Sequence, residues 1–278
     1  MPTLQGDEWK LLAGYIQSIS GISLDESKRY LIESRLSSVM EQTRCLSYGE
    51  LYMRARAEGS GAIERSVIDA ITTGETSFFR DGAPFQLLRM KLLPELIARR
   101  GENNGAKIPV RIWSAACSTG QEVYSIAFIL RELLGGSDRY DVRLLGTDIS
   151  PEAVERAAAG VYNCVEIGRG MDPGLLARHF HAERGRWRIR DEIRSLASFR
   201  TLNLMRDFSL LGEFDIIFCR NVAIYFTEAD KIAVFGRIAR QLARDGALII
   251  GSTESLVGVC PEFQARRDCG AVYYARAG

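Results

Sequence analysis

The 278-residue chain predicts an α/β protein in which an all-helical module precedes a mostly parallel sheet domain carrying a small inserted antiparallel β subdomain. Three observations predict it. Residues 1–75 show helical spacing alone. Beyond Arg80, strand-like apolar runs alternate with helical patterns, as a parallel sheet with helices on both faces requires. The stretch from Val161 to Phe199 breaks that alternation with a short helix and a period-two texture, "RWRIRDEIRSLASF", read as a hairpin. These limits give a helical domain over 1–75, a linker over 76–90, and a sheet domain over 91–278 with an insert at about 161–199.

In the helical module Trp9, Leu12, Tyr15, Ile16 and Ile19 share one face, and Gly21 closes the first helix. "SLDESKRYLIESRLSSVME" places Tyr30, Leu31, Leu36 and Val39 inward, with Asp25 and Glu26 in a first turn whose dipole favours acids. "SYGELYMRARAEG" and "AIERSVIDAITTG" supply two more helices, ending near Gly74. Lys28, Arg29, Arg35, Arg44, Arg54 and Arg56 scatter positive charge over the module, which on local grounds a solvated outer face explains better than a docking surface. "PFQLLRMKLLPELIARRG" reads as one amphipathic helix. A strand from Val110 to Ala115 leads through "SAACSTGQE" into an apolar-striped helix. The second strand ends at Thr147 and Asp148, with Ser150 as helix cap and Pro151 in the first helical position. "EFDIIFC" is a third strand, followed by a helix from about Glu228 to Ala243; "GALIIG" and "GAVYYARA" complete the sheet.

Composition narrows the function. With 36 basic and 35 acidic side chains the net charge is +1, so nothing global favours nucleic acid or a membrane surface. No apolar run approaches the length of about 20 residues that spans a bilayer, and "MPTLQGDEWK" has no targeting pattern. Six cysteines without CxxC spacing, and only His179 and His181, are too little for a zinc site. A cytoplasmic globular protein with reduced thiols and no metal is expected.

Ligands of open α/β sheets bind beyond the carboxyl ends of the strands. That rule singles out Ser114 to Glu122, Asp148, Asn203, Cys219 to Tyr225 and Gly251 to Glu254. The first loop has one glycine and matches neither GxGxxG nor GKS/GKT, so no phosphate cradle is present. Asp148 stands where an acid holds ribose hydroxyls and repels a 2′-phosphate, although a turn-forming aspartate would look the same. Together these features point to S-adenosylmethionine, with Glu122 near its positively charged end. Cys117 and Cys219 fall in the same region, where small buried filler explains them better than nucleophilic catalysis without a histidine.

"TGETSFFRD", "RIWSAACSTGQEVYSIA", "GTDIS", "LNLM" and "FDIIFCRNVAIYF" resemble the successive signature segments of the CheR-type chemotaxis receptor methyltransferases. The resemblance extends over nearly the whole chain. It implies a Rossmann-like S-adenosylmethionine-dependent methyltransferase fold and protein-glutamate O-methyltransferase activity on the cytoplasmic helices of chemoreceptors, with S-adenosylhomocysteine as product. It implies that Thr76, Arg80, Glu122, Asp148, Asn203, Leu204, Arg220 and Asn221 line the cofactor site, with Arg80 and Tyr225 at the reacting centre. Many relatives have asparagine where this chain has Gly74, so one hydrogen bond to the cofactor is missing or replaced. It also implies a linker folded over the cleft, in which Phe78 and Phe79 anchor against the sheet domain and Arg80 faces the cavity. A surface ion pair of Arg80 with Asp81 or another acid is the alternative for the arginine, and direct contact with the adenine is the alternative for the two rings.

Methylating a carboxylate requires no general base, since a glutamate with an unperturbed pKa of about 4.3 is already ionised at neutral pH. Some relatives also capture a receptor's carboxyl-terminal peptide on the inserted hairpin, through a glycine-rich loop extension. Here "ERGRWRIRDEIRSLASF" has only Gly185 and turns through Asp191 and Glu192, too short for that extension. Recognition is therefore expected to use Lys28, Arg29 and Arg35 against glutamate-rich helices, by a monomer. A non-catalytic S-adenosylmethionine-binding adaptor is the alternative, against which Arg80, Glu122, Asp148 and Tyr225 speak. An oxidoreductase on the same sheet lacks its glycine fingerprint here.

Overall fold

The computed structural model describes residues 3–101, 107–136 and 138–277, so the expected outer ends of the two modules, Met1 and Gly278, lie outside the described residues. The amino-terminal module is built from α1 (Gly6–Ser20), α2 (Arg29–Thr43), α3 (Tyr48–Ala57) and α4 (Ala62–Ile71) around its own core. Gln5 and Glu8 cap the start of α1 reciprocally, and Gly21 ends it at φ 77. The expected α1 face is buried as read. On α2 two residues differ: Tyr30 is 63% exposed, Leu31 is half-buried at the cavity, and Ile32 is buried in the core instead. Leu36, Val39 and Met40 set the buried stripe, and helical spacing carries that stripe back to Ile32, not to Tyr30.

From Ala83 to Arg100 the chain is one helix in three parts: α5 (Ala83–Leu87), a π-helical stretch (Leu88–Leu92) and α6 (Leu93–Arg100). Pro94 has no N–H for the carbonyl one turn back. A widened turn, in which the Leu93 N–H bonds the Leu88 carbonyl, lets the helix continue past it.

The sheet domain runs β1 (Ile108–Ala115), α7 (Gln121–Leu134), β2 (Tyr140–Asp148) and α8 (Pro151–Ala159). The insert follows as β3 (Val161–Tyr162), α9 (Cys164–Gly168), α10 (Pro173–His179), β4 (Phe180–Glu183), β5 (Arg186–Ile189) and α11 (Asp191–Arg194). The main fold then resumes with β6 (Ala197–Thr201), β7 (Phe214–Cys219), α12 (Glu228–Gln241), β8 (Leu242–Ile250), β9 (Phe263–Asp268) and β10 (Ala271–Arg276). The seven-stranded sheet has the order β6-β2-β1-β7-β8-β10-β9. Its first five strands are mutually parallel, and β10 runs antiparallel to both neighbours. Apolar cores lie on both faces, one under α7 and the helix of residues 83–100, the other under α12.

The insert is a three-stranded antiparallel sheet of order β3-β5-β4. The reading of "RWRIRDEIRSLASF" as a hairpin is corrected here. Its first half is β5, residues Asp191 to Arg194 form a short helix, and Ala197–Thr201 pairs in parallel with β2 in the main sheet. The true hairpin joins β4 to β5 through Arg184 and Gly185, at φ 50 and 77, as a tight two-residue turn demands. At Gly170, φ 89, an added Cβ would lie 2.1 Å from the Phe78 carbonyl oxygen, so the insert backs directly onto the linker. Among the described residues, no helix is long and apolar enough to cross a membrane.

Candidate active site

The carboxyl ends of β1, β2, β6 and β7 open into one cavity of about 190 Å³. Residues 116–118, 148–150, 202–204 and 220–222 supply its floor, and residues 71–77 and Arg80 supply its roof. The helical module closes one side with Ser20, Lys28, Leu31 and Arg35.

The local backbone is unusual. Phe79, Asp81, Ala116, Ser118 and Asn221 all have positive φ, between 50 and 68. A side chain in that region costs about 1–3 kcal/mol, and it persists only where the surroundings over-determine it. Three of these residues are pinned by their own amides. The Phe79 N–H donates to Ser125 Oγ at 3.0 Å, that of Ser118 to Asp148 Oδ2 at 2.8 Å, and that of Asn221 to Glu254 Oε2 at 2.8 Å.

The aromatic pair of the linker is an anchor. Phe78 is 1% exposed and meets Tyr162 and Phe180 edge-on, with ring centres 5.0 and 5.9 Å away. Phe79 stacks on Phe128 at 6.3 Å and meets Phe85 edge-on. Arg80 then lines the cavity, its Nη1 donating to the Glu75 carbonyl at 3.0 Å. The alternative Arg80–Asp81 ion pair does not form, because Asp81 is taken by Arg220 at 2.7 Å. Arg220 is buried, and its other terminal nitrogen donates to Glu122 Oε2 at 2.8 Å. Glu122 Oε1 accepts from the Ser114 hydroxyl, also at 2.8 Å.

Asp148 is 9% exposed, and each of its oxygens accepts one backbone N–H, from Ser118 and from Ser150 at 3.0 Å. Burial pushes its carboxyl above the ordinary aspartate value, with the backbone amides of Ser150, Ser118 and Ile149 pulling the other way. Thr76, Leu204, Asn221 and Tyr225 also line the cavity. Asn203 lines it too, but its amide is committed: Nδ2 donates to the Ile19 carbonyl at 2.7 Å, and Oδ1 accepts from the Met205 N–H. Cys117 and Cys219 are buried, and burial pushes both thiols well up, which suits packing and not nucleophilic attack.

The share of the helical module in this site was not foreseen from the sequence. Besides Asn203 to Ile19, the Ser23 N–H donates to the Tyr225 carbonyl at 2.8 Å, and the Ser150 hydroxyl donates to Asp69. Arg35 Nη1 donates to the Ile71 and Thr72 carbonyls at 2.7 and 3.1 Å, fixing the end of α4 where the linker begins. Nothing in helical periodicity announces such contacts. The nearest signal was Gly21, where an added Cβ would stand 2.5 Å from Met205 Sδ.

Residues 7–72 match the CheR methyltransferase all-alpha domain, and residues 74–268 match the CheR methyltransferase SAM binding domain. The chain belongs to the CheR methyltransferase family. Among its CheR relatives, chemotaxis protein methyltransferase 1 of Pseudomonas aeruginosa is 38% identical over 274 residues, covering 97% of this chain and 98% of the relative. The chemotaxis protein methyltransferase of Vibrio parahaemolyticus is 38% identical over 275 residues, 98% of each chain. The expected fold is therefore the CheR fold, and the protein is an S-adenosylmethionine-dependent methyltransferase. The two family domains meet at Thr73, in the segment that roofs the cavity.

Proposed function

We propose that this CheR methyltransferase acts as a cytoplasmic, metal-independent monomer. It transfers methyl groups from S-adenosylmethionine to glutamate side chains in the cytoplasmic helices of chemoreceptors, forming glutamyl methyl esters. One observation carries the reading: Arg80, Glu122, Asp148 and Tyr225 converge on a single cavity that neither histidine lines. The site can place a carboxylate and a cationic cofactor, and methyl transfer to an already ionised carboxylate asks for no general base.

The residues fit the cofactor. A carboxylate has about four acceptor sites, so Asp148 keeps about two for ribose hydroxyls after its backbone bonds. Glu122 and Asp148 place two carboxylates in the cavity lining, where each can face the positive charge of the ligand. Thr76, Asn221 and the Leu204 segment supply the remaining contacts. Bound S-adenosylmethionine supplies an electrophilic methyl group and leaves as neutral S-adenosylhomocysteine.

The chain's own task is positioning, which is worth about 7–11 kcal/mol of barrier when reactants are well oriented. Arg80 holds the substrate carboxylate through charge-assisted hydrogen bonds, and Tyr225 orients one of its oxygens. The grip of Arg80 must stay modest, since full neutralisation would blunt the nucleophile. The lining residues Lys28 and Leu31 put α2 at the cavity mouth, where acidic substrate helices would meet the positive charge of Lys28 and Arg29. The two-residue turn at Arg184–Gly185 leaves no loop extension for a receptor peptide, which supports recognition without a tether.

Incubation with methyl-labelled S-adenosylmethionine and receptor cytoplasmic fragments tests the reading. Label should appear on the receptor and leave in mild base as methanol. Base-stable label would place the methyl group elsewhere. A receptor carboxyl-terminal peptide binding at micromolar concentration would end the tether-free reading alone.

A further inference from the structure

We infer that Glu254 is a positioning residue of the methyl-transfer site, fixing Asn221 and the turn that delivers Tyr225. The inference rests on placing S-adenosylmethionine in the cavity described above.

Glu254 lies past the end of β8, outside the cavity lining. Its Oε2 accepts the N–H of Gly251 at 2.7 Å and that of Asn221 at 2.8 Å, and its Oε1 accepts the N–H of Ile224 at 3.2 Å. Every one of these partners is a backbone amide, and together they tie the end of β8 to the segment after β7. The tie fixes Asn221 at φ 58, in the left-handed region that asparagine enters more readily than most side chains but does not hold uniquely. Ile224 sits in the single turn Ala223–Tyr225, so the same carboxylate sets where the Tyr225 ring enters the cavity.

Gly251 completes the device. A Cβ there would stand 2.5 Å from Glu254 Oε2 and 2.8 Å from Asn221 Nδ2, so only glycine admits the carboxylate this close. The buried Cys219 thiol responds to the same charge: burial raises it first, and Glu254 raises it next. A negative group set against three amides is a rigid support, because an acceptor-only carboxylate satisfies them all. An amide side chain would turn its NH₂ toward at least one of them.

The test is Glu254→Gln in the full chain, with S-adenosylhomocysteine binding by calorimetry well below the unfolding temperature, and Asp148→Ala alongside. Glu254→Gln should bind at least tenfold more weakly, and the amides of Asn221 and Ile224 should exchange with solvent faster than in the wild type. With receptor fragments, KM for S-adenosylmethionine should rise and turnover at saturation should fall. Wild-type affinity and turnover in Glu254→Gln, even with a lowered melting temperature, would mean a structural role only and overturn the inference. If Asp148→Ala is weakened in that case, the cofactor placement stands. Wild-type affinity in both variants removes the cofactor from this cavity, and the inference with it. Exchange in the wild-type protein gives a check free of variant folding: an Asn221 amide as unprotected as an exposed loop overturns the proposal.

Discussion

Arg220 Nη2 donates to the Asp81 carboxylate at 2.7 Å and to the Arg80 carbonyl at 2.9 Å, so one buried guanidinium grips two consecutive residues of the roofing segment. Through Nη1 it also holds Glu122 on α7. Arg220→Met strands the nearly buried Glu122 carboxylate and should cost about 3–5 kcal/mol of stability, read from urea unfolding. Arg220→Lys keeps the charge without the fork, so it should recover part of that stability and little turnover. Full turnover in the lysine variant would show that the grip on the roof is dispensable.

Asp148→Ala should weaken S-adenosylmethionine by about 1.5–3 kcal/mol, or roughly ten- to a hundredfold, in a calorimetric titration. Asp148→Asn keeps one acceptor but turns its NH₂ toward the Ser118 or Ser150 N–H, so it should also weaken binding.

Acid should weaken the cofactor early. The Asp148 carboxyl is raised by burial, so it takes up a proton at a higher pH than an ordinary aspartate. Binding needs the ionised acceptor, so affinity is retained above the raised value and lost as pH falls through it. The same sign applies in reverse to folding: the neutral form is the better buried, so this group's contribution to stability is present below the unfolded aspartate value and lost as pH rises through the raised one. Titrations across the acid range should show the limb in wild type and a flatter profile in Asp148→Asn.

Arg80→Ala should cut turnover far more than cofactor affinity, and Arg80→Lys should rescue it poorly. Equal losses in the two measurements would make Arg80 a cofactor clamp, without a role at the reacting carboxylate.

Gly74 leaves room for a side chain. Its backbone lies outside the left-handed region, and an added Cβ would meet Ser118 Oγ at 3.5 Å, an ordinary contact. Gly74→Asn should add one hydrogen bond, strengthening cofactor binding by about 1 kcal/mol, close to fivefold. Unchanged affinity would mean that backbone or solvent already fills that role.

The docking surface can be probed by charge reversal at Lys28 and Arg29, which should lower methylation of receptor fragments and spare cofactor affinity. Arg35 is a poor probe, since its guanidinium holds the Ile71 and Thr72 carbonyls and its loss would disturb the roof.

Alternation of strand and helix, and local marks such as the Ser150 cap with Pro151 behind it, were legible in the chain because they depend on neighbours in sequence. So were most cavity residues, since strand ends announce themselves. β9 was not: it is an edge strand with largely exposed side chains and shows no buried period, while β6 was read as a hairpin arm because nothing local says that it pairs with β2. The link from Asn203 to the Ile19 carbonyl spans 184 positions, and that of Glu254 to Asn221 spans 33, beyond any local pattern. Tyr30 misled because its own hydrophobicity outweighed the phase set by Leu36 and Val39.

Gly170 makes the insert less modular than its separate sheet suggests. Grafting a relative's insert onto this scaffold, for example to confer a new receptor preference, would press any larger residue at that position into the Phe78 carbonyl. The displaced roof would then carry Arg80 with it. Insert and roof should therefore be inherited, and engineered, as one piece.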